Sequence, residues 1–323
     1  MAKLNKNILV IGGSGFIGST LIPSLLSDDH DVTILNRGNK KMHGAKQLVA
    51  DRNNPVLVNQ IAQSATDFDI IIDTSSYNRS QTEIMWKAFS KKTKHWIHLS
   101  SAAVYKETPG RFPNENDEIG GAKIWGEYGI EKSEIDSFLI DRSSDIAITV
   151  FRPPYLYGPR NDNDRETFIW NHHLLKKPII VPATGQTPIQ FLHVEDLVNA
   201  FKIAMAGEPE SGIRIYNIAS NEQLSFVEWI KTLATISQTK AAIVFEGNST
   251  NFSPRQYFPF RDYPCCVQTG LIRRELGWNE QYDIATGFAQ TFKTYDANFL
   301  VNKIFETSIE NQILDIIQGK SST

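Results

Sequence analysis

The chain has 323 residues, of which 41% are hydrophobic, and its formal net charge is −3. This length allows a large core and favours two lobes, and the slightly acidic balance argues against a nucleic-acid-binding surface. No apolar run approaches the roughly 18 residues that a membrane span needs. The two cysteines, Cys265 and Cys266, are adjacent and the N-terminus has no apolar signal segment, so we expect a cytoplasmic protein.

The first predicted element is a strand that ends in a glycine-rich turn. Residues 8–11 are apolar, and apolar residues recur at helical spacing over 16–26. The glycines between them are spaced G-x-x-G-x-x-G, which suits a sharp turn, a close approach to a pyrophosphate and close helix packing. A tight turn that binds no ligand is the alternative, but the flanking strand and helix favour a dinucleotide site. The predicted cofactor-binding residues of this turn are Gly12, Gly15, Phe16, Ile17 and Gly18.

A second buried strand is predicted over 31–35, and Asn36 and Arg37 follow it. In a dinucleotide-binding fold this position meets the adenosine ribose, where an acidic residue binds the 2′-hydroxyl of NAD and an arginine accommodates the 2′-phosphate of NADP. The acid is absent here, and Arg37 is accompanied by Lys40 and Lys41. The alternative is an ordinary solvated basic turn. The pattern favours NADP over NAD, with Asn36 and Arg37 as cofactor-binding residues.

Further strands alternate with helices along the first half of the chain. Strands are predicted over 47–50, 68–73, 94–99 and 146–151, with helices after Asn54, over 80–90 and over 123–141. This alternation predicts an α/β fold, a Rossmann-type doubly wound parallel sheet with a smaller C-terminal α/β substrate lobe. We expect the dinucleotide-binding domain at 1–158 and the lobe mainly at 159–323, with about 186–218 returning to the sheet.

Tyr128 and Lys132 are four residues apart on a predicted helix and therefore share a face. A lysine ammonium near a phenol favours the phenolate and lowers the tyrosine pKa, so such a tyrosine can exchange a proton with a hydroxyl or carbonyl. The spacing alone also occurs on ordinary solvated helices. It gains meaning because a glycine turn and the pair Ser100-Ser101 at a strand end precede it in the chain.

The chain resembles the extended short-chain dehydrogenase/reductases of the nucleotide-sugar epimerase and reductase superfamily. The resemblance covers about residues 7–296 in family order. Its motifs are Gly12 to Gly18, Leu99 to Tyr105, Tyr128 to Lys132, Arg152 to Pro159, Phe191 to Leu197 and Glu275 to Trp278.

The resemblance implies a role for individual residues. Tyr128 would be the catalytic acid or base, Lys132 would lower its pKa and hold the nicotinamide ribose, and Ser101 would bind the reacting oxygen. Asp51 and Arg52 would contact adenine, and Thr74 and Ser75 would lie near the ribose and phosphates. Pro154 and Tyr155 would border the nicotinamide. The expected substrate contacts are Ser101, Ala102, Tyr128, Gln190, Arg255 and Arg261.

Departures from the family pattern narrow the expected reaction. The similar sugar 4,6-dehydratases carry an Asp-Glu pair where this chain has Ala102 and Ala103, which cannot transfer protons, so a dehydratase is disfavoured. The 4-epimerases usually retain NAD through an acid after the second strand, which is missing here. The chain also resembles a branch that includes chloroplast stem-loop RNA-binding proteins, but it keeps Ser101, Tyr128 and Lys132.

We therefore expect NADP-dependent reduction of a nucleotide-linked 4-keto-6-deoxysugar. The alternatives are a nucleotide-sugar 4-epimerase and a non-catalytic or RNA-binding relative. We expect a homodimer with no membrane partner and no metal. His172 and His173 lie on one predicted helix and are expected to serve packing or to lie at the surface.

Overall fold

The computed structural model describes residues 5–161, 165–207, 210–247, 250–295 and 308–319. The chain divides into two compact units. The first unit comprises Met1–Leu156, Val194–Ala219 and Val267–Gln281, and the second comprises Tyr157–His193, Ser220–Cys266 and Tyr282–Thr323. The segment 186–218 is thus divided at Val194. Parts of the predicted lobe, at 162–164, 208–209, 248–249, 296–307 and 320–323, lie outside the described residues.

Strands and helices alternate through most of the chain. The strands are β1 (Asn7–Ile11), β2 (Asp31–Asn36), β3 (Lys46–Val49), β4 (Phe68–Asp73), β5 (Thr93–Leu99), β6 (Ala147–Arg152), β7 (Tyr155–Tyr157), β8 (Ile179–Val181), β9 (Pro188–His193), β10 (Gly212–Asn217), β11 (Gln223–Ser225) and β12 (Ile243–Phe245). The described helices are α1 (Gly18–Ser27), α2 (Pro55–Ser64), α3 (Arg79–Phe89), α4 (Glu127–Ile140), α5 (Arg165–Leu174), α6 (Val194–Ala206), α7 (Phe226–Ile236), α8 (Gly270–Leu276), α9 (Ile284–Lys293) and α10 (Ser308–Ile317).

The first unit is built on a seven-stranded parallel sheet with the order β10-β6-β5-β4-β1-β2-β3. Strand β1 has apolar side chains on both faces because helices cover both, and Ile8 to Ile11 are at most 1% exposed. The strand order reverses between β1 and β4, where a doubly wound sheet binds its ligand. The predicted α/β fold class is therefore confirmed.

Local signals explain where several helices begin. The side chain of Asn54 accepts a hydrogen bond from the Leu57 amide, and Pro55 occupies the first helical position of α2. The single helix predicted over 123–141 is wrong at its start. Residues 123–125 form a 3₁₀ turn, Gly126 has φ +57°, and α4 begins only at Glu127. A positive φ interrupts an α-helix, and glycine adopts it at low cost.

Each unit has its own aromatic core. In the first, the ring centroid of Trp86 lies 5.2 Å from that of Trp96 and 6.2 Å from that of Phe138. In the second, Phe260 packs 4.8 Å from Trp229, again between ring centroids.

Among the described helices, none has the length and apolar character needed to cross a lipid bilayer. Both cysteines are buried and unbridged.

Candidate active site

The glycine-rich turn leaves β1 at the carboxyl edge of the sheet. Gly12 has φ +95°, and its amide donates to the carbonyl of Leu35 at 3.0 Å. A Cβ at Gly12 would lie 2.3 Å from the Cβ of Ser75, so a side chain here would collide with the loop after β4. The sharp turn expected at this glycine is present.

The next two glycines differ in their surroundings. A Cβ at Gly15 would have no atom within 4 Å, so the space beside this glycine is open. A Cβ at Gly18 would lie 2.2 Å from the carbonyl carbon of Gly13. Because glycine has no Cβ, the helix can pack closely on the turn. Among the described residues, no acceptor receives the main-chain N–H groups of Phe16 and Ile17. These open donors at the start of α1 fit a pyrophosphate group.

The residues after β2 separate into a fixed and an exposed part. Asn36 is buried, and its side-chain oxygen accepts from the Gly38 amide at 2.9 Å and from Nε2 of Gln47 at 2.7 Å. Arg37 is exposed and has no ion-pair partner in the described part of the chain. Asn36 therefore shapes the loop, while the side chain of Arg37 is exposed to solvent.

Arg52 is half-buried and holds the carboxylate at the end of β4. Its two terminal nitrogens donate to the two carboxylate oxygens of Asp73 at 3.1 and 2.8 Å, and one of them also donates to Oγ of Ser75 at 2.8 Å. Burial raises the pKa of Asp73, but the charge and hydrogen bonds of Arg52 outweigh it, so this pKa is lowered. The guanidinium of Arg52 is thus engaged within the protein, whereas Asp51 is exposed beside it.

The loop after β4 is bonded to the end of β1. Oγ1 of Thr74 donates to the carbonyl of Ile11 at 3.2 Å, and Oγ of Ser75 donates to the same carbonyl at 3.4 Å. The hydroxyl groups of Thr74 and Ser75, predicted near the ribose and phosphates, therefore lie next to the glycine-rich turn. These bonds bring the predicted residues of two strand ends together.

Tyr128 lies at the second position of α4, directly after the break at Gly126. The residue is 45% exposed. The N-terminal end of a helix favours negative charge. The sequence analysis predicted one helix from 123 and so did not place Tyr128 near a helix N-terminus. The break before α4 depends on the backbone angle of Gly126.

Ser101 lies two residues beyond the end of β5. Its side chain caps the 3₁₀ turn Ala102–Val104 and accepts from the amide of Ala103 at 3.2 Å. A hydroxyl that accepts one hydrogen bond still has its own proton to donate. Ser101 is therefore held in place with a donor available.

Lys132 is almost entirely buried, at 4% exposure. Its Nζ donates to the carbonyl of Leu99 at 2.9 Å and to the carbonyl of Ser76 at 3.1 Å. Burial lowers the pKa of Lys132 to about 8, although the charges of Asp136 and Asp73 oppose that shift. These bonds tie α4 to the ends of β4 and β5.

The sequence analysis did not identify a group of buried titratable side chains close to these residues. Asp136 accepts from Nε of Arg152 at 2.7 Å, and both side chains are at most 1% exposed. His98 is fully buried, and burial lowers its pKa to about 4. Asp73 is the strand partner of His98 in the sheet register. The position of Asp136, one helical turn after Lys132, was the one available signal.

Three further predicted residues lie at the same sheet edge. The amide of Ala102 donates to the carbonyl of Pro153 at 2.8 Å. Pro154 follows directly and is half-buried, and the buried ring of Tyr155 lies 6.5 Å from that of Trp125. The structure thus brings the segment after β6 to the turn after Ser101.

The remaining predicted substrate residues belong to the second unit. Gln190 is 2% exposed, and its Nε2 donates to the carbonyl of Ser220 at 2.7 Å. Arg255 is exposed and donates to the carbonyl of Pro259, and Arg261 is half-buried. The side-chain amide of Gln190 therefore supports the fold of its own unit.

His172 and His173 on α5 are both buried. Nε2 of His172 lies 2.8 Å from a carboxylate oxygen of Glu310 on α10. Burial lowers the pKa of His173 to about 4. Within the described ranges, no group of three or more His, Cys, Asp or Glu side chains is placed to hold a metal ion.

The model of the NAD dependent epimerase/dehydratase family matches residues 8–219. The chain is 28% identical to the chloroplast stem-loop binding protein of 41 kDa b from Arabidopsis thaliana over 317 residues, which cover 90% of this chain and 79% of the relative. Two solved structures are similar in fold at 18% identity and a TM-score of 0.75. They are the UDP-glucose 4-epimerase of Thermotoga maritima with UDP-glucose (89% of this chain, 98% of that chain) and the dTDP-glucose 4,6-dehydratase of Bacillus anthracis with NAD (90% and 97%).

The matched segment runs from β1 to the residues after β10 and includes the glycine turn, Ser101, Tyr128 and Lys132. It covers well over half of the chain. The sheet order and the order of these motifs agree with that match. The chain is an enzyme of the extended short-chain dehydrogenase/reductase type and belongs to the NAD dependent epimerase/dehydratase family.

Proposed function

We propose that the chain is an NADP-dependent reductase that acts on the keto group of a nucleotide-activated 4-keto-6-deoxysugar. One arrangement carries this proposal: Tyr128, which is 45% exposed, is the second residue of α4, and Lys132 on the same helix is bonded to Leu99, two residues before Ser101. Ala102 and Ala103 follow where the similar dehydratases have two acids. Because alanine transfers no proton, net reduction is favoured over elimination of water.

The cofactor site fits a dinucleotide. The open space at Gly15 and the donors of Phe16 and Ile17 would receive the pyrophosphate, and Arg37 would receive a 2′-phosphate. Asn36 holds the loop that presents Arg37. The bound cofactor would supply the hydride. Among the other proposed contacts are Gly12, Gly18, Asp51, Arg52, Thr74, Ser75, Lys132, Pro154 and Tyr155.

The protein would manage the proton. Tyr128 donates its phenolic proton to the substrate oxygen as the carbonyl carbon receives the hydride. A C–H and an O–H bond form, and the C=O double bond becomes single. Ser101 donates a hydrogen bond to the same oxygen and stabilises its developing negative charge. The Lys132 ammonium favours the phenolate that Tyr128 becomes.

We assign the first unit to the cofactor and the second to the nucleotide sugar, with Gln190, Arg255 and Arg261 as its candidate contacts. Arg255 is the strongest of these, because it is exposed whereas Gln190 is only 2% exposed. The homodimer and the cytoplasmic location stay predictions.

A nucleotide-sugar 4-epimerase is the second candidate, and the fold shared with the UDP-glucose 4-epimerase of Thermotoga maritima supports it. Such an enzyme would oxidise and then reduce the same sugar carbon with no net use of cofactor. A third candidate, RNA binding, rests on the similarity to the chloroplast stem-loop binding protein. It would not require Tyr128.

The test is to measure NADPH oxidation at 340 nm with a panel of dTDP-, GDP-, UDP- and CDP-linked 4-ketosugars. We expect one member to be reduced and the Tyr128→Phe variant to lose activity by at least roughly a hundredfold. Tyr216→Phe is the matched control, because its hydroxyl donates to Glu275 at 2.9 Å, away from the three site residues. Full activity of Tyr128→Phe would refute the mechanism.

The same assay separates the alternatives. Interconversion of 4-epimeric nucleotide sugars without NADPH consumption would establish the epimerase. Stem-loop RNA binding that survives in Tyr128→Phe, in a protein inactive on every sugar, would establish the binding role.

A further inference from the structure

We propose that Asp136 and Asp73 are positioning residues, two buried carboxylates that keep the buried Lys132 in its ammonium form. The inference rests on the proposed function for the role of Lys132. It assigns a purpose to two residues that the motifs leave out.

The problem that these carboxylates solve is the burial of Lys132. Only 4% of the residue is exposed, and its Nζ donates to two main-chain carbonyls, those of Leu99 and Ser76. Carbonyl oxygens accept hydrogen bonds from a neutral amine as well as from an ammonium. A charged lysine in such surroundings needs negative charge nearby.

Asp136 supplies the first negative charge from the same helix. It follows Lys132 by four residues and therefore lies on the same face of α4. Its Oδ2 accepts from Arg152, whereas its Oδ1 is buried and has no hydrogen-bond partner among the described residues. Arg152 thus binds one carboxylate oxygen of Asp136, and the other oxygen is buried without forming a hydrogen bond among the described residues.

Asp73 supplies the second negative charge from the sheet. It ends β4, is fully buried, and is held by both terminal nitrogens of Arg52. The carbonyl of Ser76, three residues on, accepts from Lys132. The loop that follows Asp73 is therefore in direct contact with Nζ of Lys132.

The titratable groups that act on Lys132 come from four segments. Asp136 on α4 and Asp73 on β4 favour its charged form, and Arg52 after β3 opposes it. His98 on β5 also faces this cluster, but burial lowers its pKa to about 4, so it is neutral at pH 7. Both carboxylates therefore act against burial, which by itself favours the neutral amine.

The test follows the protonation of Lys132 in the free protein by NMR of ¹³Cε-labelled lysine, with a Lys132→Met variant to assign its signal. We expect the titration midpoint to fall by at least one pH unit in Asp136→Asn. Glu134→Gln is the matched control, since Glu134 is an exposed acid on the same helix, and its midpoint should not move. An unchanged midpoint in Asp136→Asn would overturn the proposal.

A second variant keeps the test valid if Asp136→Asn fails to fold. The double variant Asp136→Asn, Arg152→Gln replaces both charges of the ion pair by neutral amides, which proteins tolerate better than one unpaired charge. The Lys132 midpoint should fall in this variant too, and a midpoint equal to that of the wild type would contradict the proposal.

The turnover readout is the pH profile. The basic limb of NADPH oxidation should move to lower pH by the same amount in Asp136→Asn, which a merely structural defect would not cause. The NMR titration needs neither substrate nor cofactor. Failure of the proposed reductase function would leave the NMR result intact, so the two hypotheses fail separately.

Discussion

Gly129 of α4 packs so closely on Ala103 that a Cβ at Gly129 would lie 2.8 Å from the carbonyl oxygen of Ala103. Tyr128 precedes that glycine, and Ser101 begins the turn that contains Ala103. The absence of a side chain at 129 therefore lets the helix of Tyr128 approach the turn of Ser101. Lys132 fixes the same helix by its bond to Leu99.

We expect alanine to weaken NADPH binding at Gly15 and to lower the stability of the protein at Gly18. Gly15→Ala fills open space, so we expect unchanged stability but at least a tenfold loss of NADPH affinity, because the methyl group would displace the pyrophosphate. Gly18→Ala places its Cβ against the backbone of Gly13, and we expect a loss of about 2 kcal/mol or more in unfolding free energy. Urea unfolding and fluorescence titration with NADPH measure the two effects. Equal losses of stability would contradict this interpretation.

Arg37→Ala tests the cofactor preference. Loss of a charged hydrogen bond to the 2′-phosphate should weaken NADPH binding roughly tenfold and leave NADH binding unchanged. The control is Lys94→Ala, an exposed basic residue near the amino end of β5, at the opposite edge of the sheet. If the ratio of the two affinities stays the same in Arg37→Ala, the NADP assignment is wrong.

The buried pair of Arg152 and Asp136 predicts a large stability effect. Arg152→Met leaves the carboxylate of Asp136 without its partner, so we expect a loss of about 3–5 kcal/mol in urea unfolding. Arg79→Met, which removes one side of the exposed pair with Glu83, should cost far less. Similar losses in the two variants would show that burial does not increase the contribution of the ion pair to the free energy of unfolding.

Glu166 predicts a stability that depends on pH. Burial raises the pKa of Glu166 to about 7, above the value of 4.5 that an unperturbed glutamate has. The folded state therefore holds a proton that the unfolded state releases, and stability falls as pH rises from about 4.5 through 7. Glu166→Gln removes this dependence, so we expect a gain of about 2–3 kcal/mol at pH 8 and little change at pH 4.

The measurement for Glu166 is chemical denaturation at the two pH values. The exposed Glu222→Gln is the control, and it should give the same small change at both. A gain in Glu166→Gln that is equal at pH 4 and pH 8 would argue against a protonated carboxyl in the folded protein.

Much of the fold and part of the candidate site were accessible from the sequence. Apolar runs and glycine spacing predicted the strand, turn and helix at Gly12 to Gly18, because hydrophobic periodicity and turn geometry are local. The alternation of elements predicted the parallel sheet, which places Thr74 and Ser101 at one edge whatever their contacts.

Tertiary structure decided how the charges pair. Arg52 engages Asp73, and Asp136 engages Arg152, across 21 and 16 residues of chain. No local pattern specifies such partners, since pairing depends on which strands lie side by side and on how deeply each charge is buried. The backbone angle of Gly126 likewise decided that α4 begins just before Tyr128, because packing selects the positive φ that a glycine merely permits.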